Sequence, residues 1–151
     1  MKMRSMNPIE PPVVFDSYTG PDTLDSLQRC LDEFFAAHSQ VPDEVRLHLG
    51  IAVAEIAANI IEHAGAGRSV RMRMGIGLFS EEVRISFTDD GVPARINLES
   101  AALPDEMSER GRGLALARAV LQELSYHRNA VNHWMLVSRR FGGSVPISAT
   151  S

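Results

Sequence analysis

The hydrophobic positions of this chain change period several times, and each change marks an element. Val13, Val14 and Phe15 head a short apolar run over 13–18 that reads as a first strand. From Pro21-Asp22 onward, Leu24, Leu27, Leu31, Phe34 and Phe35 recur at the three-and-four spacing of a helix ending near His38. Val41-Pro42-Asp43 restarts the chain, and a longer helix runs to about Ala64, where Gly65-Ala66-Gly67 stops it. Val70, Met72, Met74, Ile76 and Leu78 then alternate with Arg71 and Arg73. After a turn at Ser80-Glu81-Glu82 the alternation resumes, so 70–88 predicts a hairpin. Periodicity is lost from Asp89 to about residue 112, a length that marks either a functional lid or disorder. A third helix begins near Gly113, with Leu114, Ala117, Val120, Leu121 and Leu124 on one side, and strands over 125–131 and 132–141 close the pattern.

Paired strands, rather than strands alternating regularly with helices, predict an α+β fold. The expected architecture is a two-layer sandwich, a mostly antiparallel mixed sheet covered on one face by about three helices. One domain is expected over 13–141, with a flexible lead-in at 1–12 and a flexible tail at 142–151.

Composition narrows the function classes. Of 151 residues, 44% are hydrophobic, enough for a real core, and the formal net charge is −4 with no basic run. Direct nucleic-acid binding is therefore not expected, although a single small anion can still be held locally. Cys30 is the one cysteine, which excludes an internal disulfide and a thiolate metal cluster. The start lacks an apolar core of signal-peptide length, and no run approaches the roughly 18 apolar residues of a membrane span. The expectation is a cytoplasmic protein with no membrane partner.

The second helix has an unusual distribution of polar residues. At about 100° per residue, Leu47, Ile51, Ala54, Ala58 and Ile61 form one apolar face, and Leu49, Val53, Ile56 and Ile60 another. Between them lies a wedge roughly 100° wide. It holds His48, Glu55, Asn59, Glu62 and His63, broken by Ala52. Two apolar sides predict a mostly buried helix whose wedge faces a cleft. A buried carboxylate is costly unless paired or working. Oxygen ligands from Glu and Asn suit a hard cation such as Mg²⁺. The ordinary alternative is the solvated side of an amphipathic helix. His63 alone fits a helix-end histidine, and His48 a surface one.

Two further stretches carry chemistry. In Val83–Asp90, Val83, Ile85, Phe87 and Asp89 share one parity, so Asp89 should point toward the helices and Asp90 away. A buried acceptor at a strand end can take a hydrogen bond from an exocyclic amine such as that of adenine, and Gly91 allows close approach. A plain turn explains Asp-Asp-Gly equally well. Gly111-Arg112-Gly113 opens the third helix, where free N–H groups, glycine and the cations Arg110 and Arg112 can hold a phosphate. A loop-to-helix junction is the alternative, and neither a Walker nor a Rossmann fingerprint is present.

In this fixed order, Glu55-x-x-x-Asn59-x-x-x-His63, Asp89-Asp90-Gly91-Val92-Pro93 and Gly111-Arg112-Gly113-Leu114 resemble the N box and the two glycine boxes of the GHKL (Bergerat-fold) ATPases. The likeness extends over roughly 13–141 and is greatest to the RsbW-type anti-sigma factor serine kinases. The resemblance implies ATP and Mg²⁺ as cofactors, Glu55 as catalytic base and Asn59 as the Mg²⁺ ligand. It implies Asp89 as acceptor for the adenine amine, and Gly91, Arg110, Gly111, Arg112, Gly113 and Leu114, with His63, around the nucleotide. It further implies a homodimer that phosphorylates a Ser or Thr of a STAS-domain anti-anti-sigma factor and sequesters a sigma factor. Two other readings compete: a non-catalytic binding module, and the detached catalytic domain of a sensor histidine kinase. The chain departs from the family at Pro93, after which no Phe-Asp follows, and at Asn132-His133, where Gly-Thr is frequent.

Overall fold

A computed structural model describes residues 10–94 and 109–142, with the backbone alone at 109–112. Strand β1 (Val13–Tyr18) leads into helices α1 (Thr23–Ala37) and α2 (Asp43–Asn59). The end of α2 widens into a π-helical turn, Ile60–Ala64. The hairpin β2 (Arg71–Phe79) and β3 (Glu82–Asp89) follows, then α3 (Glu109–Val120) and the hairpin β4 (Glu123–Arg128) and β5 (Asn132–Val137).

The sheet runs β1-β2-β3-β5-β4 and every pairing is antiparallel, so the expected mixed character is absent among the described residues. The architecture is the predicted α+β one, a sheet with three helices. Register places Phe15, Met74, Phe87, Trp134 and Tyr126 in one row across all five strands. This row and the neighbouring Ile76, Ile85 and Leu136 join Leu27 and Leu31 of α1, Leu49, Val53 and Ile56 of α2, and Leu114 and Ala117 of α3 in a single core. The opposite parity carries polar residues, among them Asp16, whose carboxylate accepts from Arg71 Nε at 2.7 Å and Arg73 Nε at 3.1 Å. The core therefore lies on one face of the sheet only.

Three expectations are corrected. Leu24 shares the helical spacing of the other apolar residues of α1, but it is exposed, and the buried stripe is Thr23, Leu27, Leu31 and Phe35. Likewise only one of the two apolar faces of α2 is covered. Leu49, Val53, Ile56 and Ile60 are buried, whereas Leu47 is 62% exposed and Ala54 is exposed. The reason is that α1, α3 and the sheet take the sides and floor of α2, leaving its outer face without a neighbouring element among the described residues. Finally, α3 starts at Glu109 rather than near Gly113, so both glycines lie within the helix, and it ends at Val120, so Leu124, expected on its apolar side, belongs to β4 instead. The lid expected after Asp89 falls largely at 95–108, outside the described residues.

Candidate functional site

Strand parity delivers two carboxylates to opposite sides of the β3 end. Asp89 follows Val83, Ile85 and Phe87 inward and is 3% exposed. Asp90 faces the other way and accepts from the backbone N–H of Arg71 at 2.9 Å. Asp89 Oδ1 accepts from the N–H of Gly91 at 2.9 Å, which folds the chain back at the strand end. The returning backbone is pinned to α2, because the Val92 N–H donates to the Ala64 carbonyl at 2.7 Å. Gly91 is required here. A Cβ at that position would stand 2.2 Å from Ala64 O and 2.7 Å from its Cβ.

These contacts enclose a cavity of about 220 Å³, lined by Asn59, Ile60, His63 and Ala64 from the end of α2, Asp89 and the Val92–Ala94 segment, and Asn132 and Trp134 from β5. The π-helical turn contributes three of these residues, in keeping with the tendency of such widened turns to fall at functional sites. One polar atom in the cavity wall is conspicuous. Asp89 Oδ2 is fully buried and has no hydrogen-bond partner among the described residues. Burial raises the Asp89 pKa above the ordinary carboxylate value, while hydrogen bonds from Asn132 and from the Gly91 N–H pull it back.

Asn132 is the residue that sequence reasoning did not assign. It pairs directly with Asp89 across the β3–β5 ladder and is 1% exposed. Its Nδ2 donates to Asp89 Oδ1 at 2.8 Å and to Val92 O at 2.9 Å. Its Oδ1 accepts from Tyr126 Oη at 2.6 Å and from Arg128 Nη1 at 2.9 Å. A signal was available: Asn132 has the parity of Trp134 and Leu136, so a polar side chain stands where core residues are expected.

The other sequence-predicted residues fall in two groups. Asn59, His63, Asp89 and Gly91 come together at or beside the cavity. His63 also stands 3.6 Å from Glu62 across the α2 surface, an exposed pairing of little energetic weight. Glu55 and Gly113 form a second group outside the described lining. A Cβ on Gly113 would lie 2.2 Å from Glu55 Oε1, so the glycine is what lets α3 close on that carboxylate. Leu114 is a core side chain, 2% exposed, which leaves only its backbone for any binding role. The side chains of Arg110 and Arg112 and the surroundings of Gly111 lie outside the described residues.

This fold is shared with histidine kinase domains of known structure. The catalytic domain of histidine kinase ThkA superposes with a TM-score of 0.52 at 15% identity, over 84% of this chain and 98% of that one. The histidine kinase domain of the Erythrobacter litoralis EL346 blue-light activated histidine kinase gives 0.50 at 19% identity, over 76% of this chain. The chain spans 59% of that domain's length. At such identities the likeness is one of fold. The family described as histidine kinase-like ATPase domain matches residues 19–138, and the protein belongs to it. No curated protein matches the chain.

Proposed function

We propose that this ATPase domain binds Mg-ATP and acts as an anti-sigma factor serine kinase. In this reading it phosphorylates a Ser or Thr of a STAS-domain anti-anti-sigma factor, and as a cytoplasmic homodimer it sequesters a sigma factor. The observation that carries the nucleotide part is the buried Oδ2 of Asp89, a residue of the cavity wall, which has no hydrogen-bond partner among the described residues. An acceptor buried without a partner costs stability unless a ligand supplies the donor, and the exocyclic amine of adenine is such a donor. The cavity volume of about 220 Å³ is below the roughly 300–1,000 Å³ of a whole-ligand pocket, so it suits the base and leaves the phosphates outside.

The donor set also fits the metal. Asn59 offers one hard amide oxygen at the cavity edge. Among the described residues no group of three His, Cys, Asp or Glu side chains is placed to hold a cation. A Mg²⁺ bound here would share its shell with water and phosphate, which is its usual preference. Bound Mg-ATP would supply the transferable phosphoryl group and offset its charge. Glu55, against Gly113 at the α2–α3 contact, would accept the proton of the attacking hydroxyl. The serine, STAS and sigma components rest on the resemblance of residues 13–141 to the RsbW-type serine kinases.

The protein with γ-labelled ATP, Mg²⁺ and a STAS-domain partner tests this. Acid-stable label on the partner is the expected result, and Glu55→Gln should lower the rate by roughly 10²–10⁴-fold with ATP affinity retained. A partner that binds but takes no label leaves a non-catalytic sequestering module. Acid-labile label would point to phosphohistidine instead. Failure to bind ATP at all would overturn the proposal.

A further inference from the structure

Asn132 has no hydrogen-bonding capacity left for a ligand. Its two N–H groups are taken by Asp89 Oδ1 and Val92 O, with Gly91 O a longer third acceptor at 3.4 Å. Both lone pairs of its oxygen are taken by the Tyr126 hydroxyl and the Arg128 guanidinium. The amide cannot turn over. A flip would set its oxygen against the Asp89 carboxylate and its N–H groups against Arg128. Tyr126 fixes the same sense from the far side, because its hydroxyl accepts from the Ala94 N–H at 2.9 Å and so has its own proton to give to Asn132.

The consequence falls on Asp89. Its Oδ1 is saturated by Asn132 Nδ2 at 2.8 Å and by the Gly91 N–H at 2.9 Å, while Oδ2 has no partner among the described residues. Of the two carboxylate oxygens, only Oδ2 therefore keeps acceptor capacity for a ligand's donor. Purine bases differ in just this respect. Guanine carries adjacent donors, N1–H and the 2-amine, which pair side by side with the two oxygens of a free carboxylate. Adenine carries a single exocyclic amine beside an acceptor nitrogen, and one oxygen satisfies it.

We infer that Asn132 is a specificity-determining residue: by occupying one oxygen of Asp89 it bars two-point pairing with guanine and sets the site for adenine. This rests on the nucleotide-binding reading above and deepens it. Asn132 acts through Asp89 and does not touch the base, so it is a positioning residue. Its place is fixed by strand register, since Asn132 stands opposite Asp89 on β5.

The test is the ratio of ATP to GTP affinity, measured by calorimetric titration of the full chain with each Mg-nucleotide. The wild type is expected to favour ATP. In Asn132→Ala the ratio should fall at least about tenfold, the scale of one hydrogen bond to a charged group. Part of that fall should come from tighter GTP binding, which loss of structural support cannot produce. Asn132→Thr, which returns one hydroxyl donor to Asp89, should recover part of the ratio. Equal weakening for both nucleotides, with the ratio unchanged, would overturn the inference while leaving nucleotide binding intact. A wild type that binds neither nucleotide would instead bring down the functional reading, and this inference with it. If Asn132→Ala does not fold, Tyr126→Phe removes only the hydroxyl that orients the amide. The same fall, smaller in size, is expected there, and an unchanged ratio counts against the role of Asn132.

Discussion

Replacing Asp89 by Asn separates what this residue does for stability from what it does for a ligand. The substitution keeps an oxygen that can accept from Asn132 and the Gly91 N–H, and it turns the orphaned Oδ2 into an amide nitrogen. In the ligand-free protein the native carboxylate is buried with one oxygen unpaired, a situation worth about 1–3 kcal/mol against the fold. Its pKa is raised, chiefly by burial, so the folded chain holds this proton more tightly than the unfolded chain. The stability contribution of Asp89 is then most favourable below the ordinary carboxylate pKa and is lost as pH rises through the raised value. Asp89→Asn should therefore unfold at a higher temperature near neutrality, by about 2–4 °C for each 1 kcal/mol gained in a chain of this size. That advantage should shrink toward zero as the pH is taken down through the carboxylate range. Affinity for ATP should fall at least tenfold, since a hydrogen bond to a charged acceptor is worth about 1.5–3 kcal/mol. Thermal unfolding across pH, followed by ATP titration at neutral pH, reads both. A variant less stable than the wild type at pH 7, or a stability gap flat with pH, would refute the reasoning about the buried charge. Undiminished ATP affinity would refute the adenine role.

The two glycines beside the site should fail in opposite ways. In Gly91→Ala the new Cβ meets the Ala64 carbonyl at 2.2 Å, and backbone cannot step aside, so a stability loss of about 1–3 kcal/mol is expected in a denaturant titration. In Gly113→Ala the obstacle is the tip of the Glu55 side chain, also at 2.2 Å, which can swing away. Alanine gains up to about 1 kcal/mol over glycine inside a helix, so the melting temperature should hold or rise while phosphoryl transfer drops as Glu55 is displaced. A Gly113→Ala protein with full activity would show that the position of Glu55 does not matter.

The hairpins and the first two helices were legible because side-chain period is a local property. β1 falls at Val13–Tyr18 as the apolar run required, and the parity of β3 put Asp89 inward and Asp90 outward. What covers a face is not local. Leu24, Leu47 and Ala54 have the right spacing for burial, yet no element among the described residues lies over them. The same limit hid Asn132. Its inward parity was readable, but its partner sits 43 residues away on another strand, and only the pairing of β3 with β5 brings them together. The π-helical turn was invisible for a different reason: the apolar spacing of Ile60, Ile61 and Ala64 is compatible with both an α-helical and a wider turn.

The pairing of Asp89 with Asn132 also links recognition to folding. Strands β3 and β5 are far apart in sequence, and a slip of one residue would present His133 to Asp89 and turn Asn132 to the outer face. A chain closed in that wrong register would have no oriented carboxylate to offer a base. A nucleotide bound at this point would select the properly paired sheet by mass action, and so would serve as a proofreader of its own binding site.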